Sequence, residues 1–113
     1  MPRGKRYRLS SEDIQALATG RGACVATDMV TVDGMPVRFM YREPPRDQHD
    51  SGWAFFSGFE SDDYANNPAN LGVYDVNTIA NYDPSIVPLL DSPVGCAFEK
   101  PEGSLVFVEV RDA

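Results

Sequence analysis

The chain has 113 residues, the length of one domain (1–113) that can bury a core without disulfide or metal staples. Its composition is that of a globular protein, and no apolar run approaches the roughly 18 residues of a membrane span, so we expect no membrane partner. All 17 acidic residues and only six of the ten basic ones lie outside residues 1–8, and such an acidic body repels nucleic acid and favours cationic partners.

A short amphipathic helix is predicted in the N-terminal extension, residues 1–22. Ser10 and Ser11 supply an N-cap, and acidic residues follow in the first turn, where the helix dipole favours them. Gly20 and Gly22 are expected to end the helix. The apolar residues are spaced i, i+3 and i+4, as on one helix face, and they are Ile14, Leu17 and Ala18.

A β-hairpin is predicted at the start of the body, residues 23–110. Two strand-like segments, Ala23–Val32 and Val37–Arg42, are separated by an Asp-Gly pair that ends at Gly34. An Asp-Gly pair between two strands is the preferred signal for a type I′ turn. We therefore expect these two segments to pair with each other.

The third predicted strand is the aromatic segment that contains the only tryptophan. Trp53 and Phe55 share one face of this strand, and Ala54 and Phe56 share the other. Aromatic residues on both faces indicate a strand that is covered on both sides, or one whose outer face meets a partner.

Short helices are predicted between the third and fourth strands. Glu60–Pro68 reads as an acidic turn or a one-turn helix. Asp75 is a good N-cap for a helix with an apolar face, and Asp83, followed by proline, starts a second short helix.

The last two strands are predicted at Cys96–Phe98 and Leu105–Val110, with Lys100–Ser104 as the turn between them. The apolar run in Leu105–Val110 does not alternate, which predicts a central strand buried on both faces. The whole pattern predicts an α+β fold. Its sheet is mainly antiparallel, with about five strands, short helices between strands 3 and 4, and one N-terminal helix.

No residue pattern selects a catalytic site, a metal site or a cofactor. His49 is the only histidine, and Cys24 and Cys96 lie in separate apolar runs typical of buried free thiols. The spacings required for zinc sites and for calcium loops are absent. We therefore expect a non-enzymatic protein without metal or cofactor. A metal-dependent enzyme that uses Asp62, Asp63 and another acid is the alternative hypothesis.

The acidic residues around the tryptophan are better interpreted as a contact surface. Trp53 is either a core anchor, with Asp50 as a turn cap, or a binding hot spot at the rim of an acidic surface. The candidate partner-binding residues are Asp50, Trp53, Glu60, Asp62, Asp63 and Tyr64.

A long part of the body resembles a known bacterial family. The residues that carry the resemblance read VRFMYREPP…DSGWAFFSG…DDYANNPANLGVYDVNTIANYDPSIVPLLDSPVGCAFE, and the similarity extends over about Val37–Val110. The family, formerly described as a domain of unknown function, is placed among the immunity proteins of polymorphic toxin systems. No binding residues are carried over from it.

The resemblance implies a protein that binds and neutralises a cognate toxin in the cytoplasm. The acidic body suits a basic target such as a nuclease, because complementary charge speeds encounter. The basic N-terminus has no apolar segment after it, so a signal peptide is not expected. A regulatory module that binds a small molecule or a peptide near Trp53 is the alternative function. The oligomeric state is left open.

Overall fold

A computed structural model of the chain describes residues 5–110 and shows an α+β fold built on a six-stranded sheet. The strands are β1 (Ala23–Thr27), β2 (Phe39–Arg42), β3 (Asp50–Phe56), β4 (Leu71–Asp75), β5 (Ala97–Glu99) and β6 (Val108–Glu109). The helices are α1 (Asp28–Thr31), α2 (Asp62–Ala65) and α3 (Val76–Tyr82), and 3₁₀ turns cover Ser11–Asp13, Pro68–Asn70 and Pro84–Leu89. The predicted fold class is confirmed, with β4 as the strand that was not expected.

The sheet is mixed but mostly antiparallel, with strand order β4-β1-β3-β2-β5-β6. β1 and β3 run parallel, and the other neighbouring strands pair antiparallel. Met40 pairs with Phe55 and Tyr41 pairs with Ala54, so consecutive residue pairs of β2 and β3 lie on opposite faces of the sheet. Within residues 5–110, no helix is long and apolar enough to cross a bilayer.

The core lies on one face of the sheet, where α1 and α3 pack against β1 and β3. Trp53 belongs to this core: it is 2% exposed, and its Nε1 donates to the carbonyl oxygen of Leu90 at 3.3 Å. Burying each large apolar side chain contributes about 1.5–3 kcal/mol to stability. The largest fully buried side chains are Phe55, Met40, Ile79, Ile86 and Leu90.

Two aspartates begin helical segments as predicted. The Asp75 carboxylate accepts a hydrogen bond from the backbone N–H of Asn77 at 2.8 Å and starts α3. The Asp83 carboxylate accepts one from the N–H of Ser85 at 3.1 Å and starts Pro84–Leu89. Each carboxylate satisfies a backbone donor that the helix itself leaves without a partner.

The predicted hairpin is wrong. β1 ends at Thr27, the chain continues directly into α1, and β1 pairs with β3 and β4 instead of β2. Gly34 has a φ of +75°, and its N–H donates to the carbonyl oxygen of Val30 at 3.2 Å. The Asp-Gly pair therefore follows the end of α1, where a glycine in the left-handed region is also common.

The predicted N-terminal helix is reduced to one 3₁₀ turn, Ser11–Asp13. The backbone N–H groups of Leu17 and Ala18 each donate to Oδ1 of Asn77 at 2.8 Å. Hydrogen bonds to α3 thus replace the intrahelical ones that the apolar spacing indicated. This segment is docked on the body rather than folded as an independent helix.

The predicted last strand is also wrong in its position. Only Val108–Glu109 forms a strand, and this strand lies at the edge of the sheet. Leu105 is 83% exposed. Phe107 packs on the core, and its ring centroid lies 4.7 Å from Nζ of Lys100. The apolar run therefore does not mark a strand buried on both faces.

Both cysteines are buried and free, as the sequence indicated. Burial is the main cause that raises the pKa of Cys24, followed by the nearby carboxylates of Asp75 and Asp50. A thiol held protonated in this way is a structural residue and a poor nucleophile.

Candidate functional site

The sheet face opposite α1 and α3 carries apolar side chains that remain partly open to solvent. Phe39, Tyr41 and Phe56 form an aromatic cluster on this face, with ring centroids 5.6–5.9 Å apart. Their strand positions follow from the register, because Phe39 pairs with Phe56 and consecutive residues alternate between the two faces. Val73 on β4 extends the same surface and is 71% exposed. We call this surface the open face.

A groove of about 600 Å³ lies at one end of the open face. One wall is the segment that follows β3, residues 58–62, and the other is the turn after β5, residues 99–102. Phe39 and Phe56 belong to its lining, together with Phe59, which is 64% exposed. The remaining lining residues are Arg38, Gly58, Glu60, Ser61, Asp62, Ala65, Glu99, Lys100, Pro101 and Glu102.

The first wall is held in place by the Glu60 carboxylate. It accepts hydrogen bonds from the Thr27 hydroxyl at 2.5 Å, from the Ser57 N–H at 2.8 Å and from the Gly58 N–H at 3.0 Å. The Ser57 hydroxyl oxygen accepts a further bond from the Phe59 N–H at 3.1 Å. The backbone that carries the exposed Phe59 ring is therefore held by the Glu60 carboxylate and by the Ser57 hydroxyl.

These hydrogen bonds also set the charge of Glu60. Partial burial disfavours its ionised form, but the bonds from Thr27 and Ser57 outweigh burial and lower the pKa of the carboxyl. Glu60 is consequently anionic at neutral pH, so the wall carries a fixed negative charge beneath the phenylalanine.

The second wall is held by two buried or partly buried cations. Nη2 of Arg38 donates to the carbonyl oxygens of Lys100 at 3.0 Å and Pro101 at 2.8 Å. Nζ of Lys100 pairs with Oδ2 of Asp83 at 2.8 Å, and both of these residues are buried. The turn that carries Glu99 and Glu102 is thus held to Arg38, the residue before β2, and to the start of Pro84–Leu89.

The charge of the groove is negative. Four carboxylates line it against two cations, and Lys100 is already neutralised by Asp83. Among the described residues, no hydrogen bond or ion pair engages the carboxylates of Asp62, Glu99 or Glu102. The groove therefore combines an aromatic floor with free anionic groups, which is the composition of a binding surface for a cationic group.

The structure places Trp53 in the core rather than at the exposed rim of the acidic surface. Its ring is buried in the core, and the guanidinium of Arg42 lies 5.6 Å from the ring centroid. The interpretation of Trp53 as a core anchor is confirmed. Trp53 also belongs to the lining of a small cavity of about 140 Å³.

Asp50 also has an internal role. Its carboxylate accepts hydrogen bonds from the N–H groups of Arg46 and Gly52, both at 2.9 Å, and these bonds lower its pKa. Gly52 has a φ of +86°, and a Cβ there would collide with the carbonyl of Glu43. Asp50 thus caps the tight turn of the DSGW motif. It lies about 20 Å along β3 from the groove end.

The other candidate residues lie together near the groove. Asp62 and Asp63 are exposed in the first turn of α2, and Ser61 caps this helix by accepting the Tyr64 N–H at 3.1 Å. Partial burial raises the pKa of Tyr64, and nearby carboxylates, including that of Glu60, raise it further. The structure therefore brings Glu60, Asp62, Asp63 and Tyr64 to one end of the sheet.

Sequence reasoning missed the aromatic and C-terminal parts of this surface. The sequence predicts that Phe56 lies on a face that is covered or meets a partner, but no sequence pattern indicates Phe39 or Phe59 as contacts. Glu99 and Glu102 lie about forty residues further along the chain. No local signal relates them to Phe59, since only the pairing of β2 with both β3 and β5 brings them together.

The metal-enzyme hypothesis requires a third ligand close to Asp62 and Asp63. Within residues 5–110, no group of three or more His, Cys, Asp or Glu side chains is arranged to hold a metal ion. Asp62 and Asp63 therefore lack the third ligand that the metal-enzyme hypothesis requires in this part of the chain.

Comparison with known proteins identifies a family for most of the chain. A family model described as the immunity protein Imm33 domain matches residues 24–111. No curated protein and no solved structure matches the chain. The matched range contains every residue that lines the groove, whereas residues 1–23 lie outside it.

Proposed function

Because the chain belongs to the Imm33 family of immunity proteins, we propose that it binds and neutralises a cognate protein toxin, and that its acidic surface selects a basic target. The family match is the observation that carries the proposal. It confirms the resemblance to an immunity protein family that the sequence motifs indicated.

Neutralisation in this proposal is stoichiometric and needs no chemical step by the inhibitor. The groove and the open face offer an apolar centre with a charged rim, which is the usual anatomy of a protein interface. Negative charge on the inhibitor complements the cationic surface by which a nuclease holds phosphate groups. A basic nuclease that acts in the cytoplasm is therefore the proposed class of target.

The test is protection of cells from a defined toxin. The full-length chain is used to capture its partner from the native host, and the captured toxin is then expressed in a heterologous host with and without this protein. We expect growth only when both are expressed, and a purified complex of fixed stoichiometry. Toxicity that persists with the protein present at equal or higher amounts would contradict the proposal.

A regulatory module that binds a small molecule or a peptide remains the second candidate. The observation that favours it is the groove, whose volume of about 600 Å³ falls in the range of ligand sites. A small ligand from a host extract that raises the melting temperature of the protein, together with no protection against any captured toxin, would select this function.

A further inference from the structure

We propose that the groove between residues 58–62 and 99–102 receives an arginine side chain from the protein partner. This inference rests on the proposed function, because it names the part of the toxin that the immunity protein recognises. The occupant is a basic loop that presents one arginine over the phenylalanine floor, with its guanidinium among the free carboxylates.

The backbone that carries the aromatic side chains of the groove is held by hydrogen bonds and strand pairing. Phe59 is 64% exposed, yet its backbone is fixed by hydrogen bonds to the Ser57 hydroxyl and, through the preceding residues, to Glu60. Phe56 is held by its pairing with Phe39 across the sheet. A backbone that is held before binding loses less conformational entropy when the partner docks.

The anions of the groove are available to a partner. The groove-lining carboxylates of Asp62, Glu99 and Glu102 have no hydrogen-bonding or ion-pair partner among residues 5–110. The cations of the same walls are already engaged, since Arg38 bonds two backbone carbonyls and Lys100 pairs with Asp83. A cation from outside therefore meets three carboxylates without partners among the described residues, whereas Lys100 is neutralised by Asp83 and Nη2 of Arg38 is already bonded.

The combination of rings and carboxylates favours arginine over lysine. A guanidinium is planar and weakly hydrated, so it stacks on an aromatic face and can bind a carboxylate through two N–H groups at once. An ammonium group gains the charge interaction but neither the planar stacking nor the bidentate geometry.

The first experiment measures the groove without any toxin. Backbone amide signals of the full chain are followed by NMR at low ionic strength during titration with the peptide acetyl-Gly-Arg-Gly-amide. The same peptide with lysine or citrulline in place of arginine serves for comparison. We expect saturable shifts centred on residues 58–62 and 99–102 with the arginine peptide, weaker shifts with lysine and none with the uncharged citrulline.

Substitutions in the groove show which side chains contribute to binding of the arginine peptide. Phe59→Ala and the double variant E99Q/E102Q should each weaken the arginine peptide by roughly three- to tenfold. Two matched controls lie outside the groove: Glu12→Gln removes an exposed acid, and Leu105→Ala shortens an exposed apolar side chain. Equal shifts over the whole acidic surface, or equal weakening by the controls, would overturn the inference.

The toxin then separates this inference from the proposed function. If the wild-type protein protects cells and both groove variants protect them equally well, with the same affinity for the toxin, the inference is wrong and the function stands. If the groove binds the arginine peptide but no toxin is neutralised, the groove stands and the function fails. A self-associated protein that Phe59→Ala converts to a monomer would assign the groove to a second copy and overturn the inference.

Discussion

The contact between Asp83 and Lys100 joins the turn after β5 to the start of Pro84–Leu89 inside the protein. The two charged atoms lie 2.8 Å apart, and the Asp83 carboxylate also accepts the N–H of Val37 at 2.9 Å. Replacing Asp83 by asparagine leaves the buried ammonium of Lys100 without its counter-charge. We expect Asp83→Asn to lower the free energy of unfolding by about 3 kcal/mol, measured by urea denaturation.

The matched control for this substitution is the exposed pair of Arg21 and Asp91. Its carboxylate is exposed to solvent, although the two charged atoms are only 2.6 Å apart. Water and salt screen such a pair, so Asp91→Asn should leave the urea midpoint unchanged within error. Equal midpoints for Asp83→Asn and Asp91→Asn would show that burial does not make the Lys100 contact important.

The same aspartate predicts how stability depends on pH. Burial disfavours the Asp83 anion, but the hydrogen bonds from Lys100 and Ser85 prevail and lower its pKa below the ordinary value of 3.8. The unfolded chain therefore takes up this proton first as the pH falls, and the stabilisation is lost as the pH falls through the folded pKa.

We expect the urea midpoint of the wild-type protein to be nearly constant above about pH 5 and to decrease steeply below about pH 4. Asp83→Asn should start from a lower midpoint and decrease less steeply, with the remaining slope due to groups such as Glu60 and Asp50, whose pKa values are also lowered. Parallel curves for the two proteins would contradict the assignment to Asp83.

At the scale of elements, α3 holds the N-terminal segment through two asparagines, the buried Asn77 and, at Gln15 alone, Asn81. Oδ1 of Asn77 accepts the N–H groups of Leu17 and Ala18, and its Nδ2 donates to the carbonyl oxygen of Gln15 at 2.9 Å. Asn77→Ala removes all three bonds. We expect a loss of about 1–2 kcal/mol in unfolding free energy and faster hydrogen exchange at Leu17 and Ala18.

Asn66→Ala at the exposed end of α2 is the control for this change, because it alters the same residue type away from the docked segment. Its hydrogen exchange at residues 17 and 18 should match that of the wild type. If Asn77→Ala leaves those two amides protected, their protection does not depend on the Asn77 side chain.

Elements that depend on local chemistry could be predicted from the sequence. Asp75 and Asp83 begin helical segments because each carboxylate binds an N–H two residues later. The sequence could not show that the Asp-Gly pair follows a helix instead of forming a hairpin turn, since such a pair is found in both places. Only the pairing of β1 with β3 and β4 decides between the two, and that pairing depends on residues far along the chain.

The candidate site divides in the same way. Glu60, Asp62 and Asp63 are adjacent in sequence, so their shared location was predictable. Trp53 was open to two interpretations, and the burial that decided between them depends on the packing of Leu90 and its neighbours. Glu102 could not be related to the groove, because its wall is assembled by strand pairing.

At the scale of the whole molecule, several basic side chains form contacts within the protein, while most acidic side chains are exposed to solvent. Lys5 pairs with Asp28 at 2.8 Å, while the guanidinium groups of Arg38 and Arg42 donate to backbone carbonyls. Exposed acids far outnumber the basic groups that could neutralise them, which fits the net charge of −7. The long-range field of the protein is therefore negative and attracts a basic partner before contact.

This field predicts a salt-dependent association rate with the cognate toxin. The association and dissociation rate constants are measured by stopped flow between low and physiological ionic strength, where the Debye length shortens from about 30 Å to about 8 Å. We expect the association rate to fall by at least about tenfold over this range, and E99Q/E102Q to reduce the dependence on salt. Phe59→Ala removes no charge, so it should raise the dissociation rate and leave the salt dependence unchanged. An association rate that does not respond to salt would refute electrostatic steering, whatever the affinity of the complex.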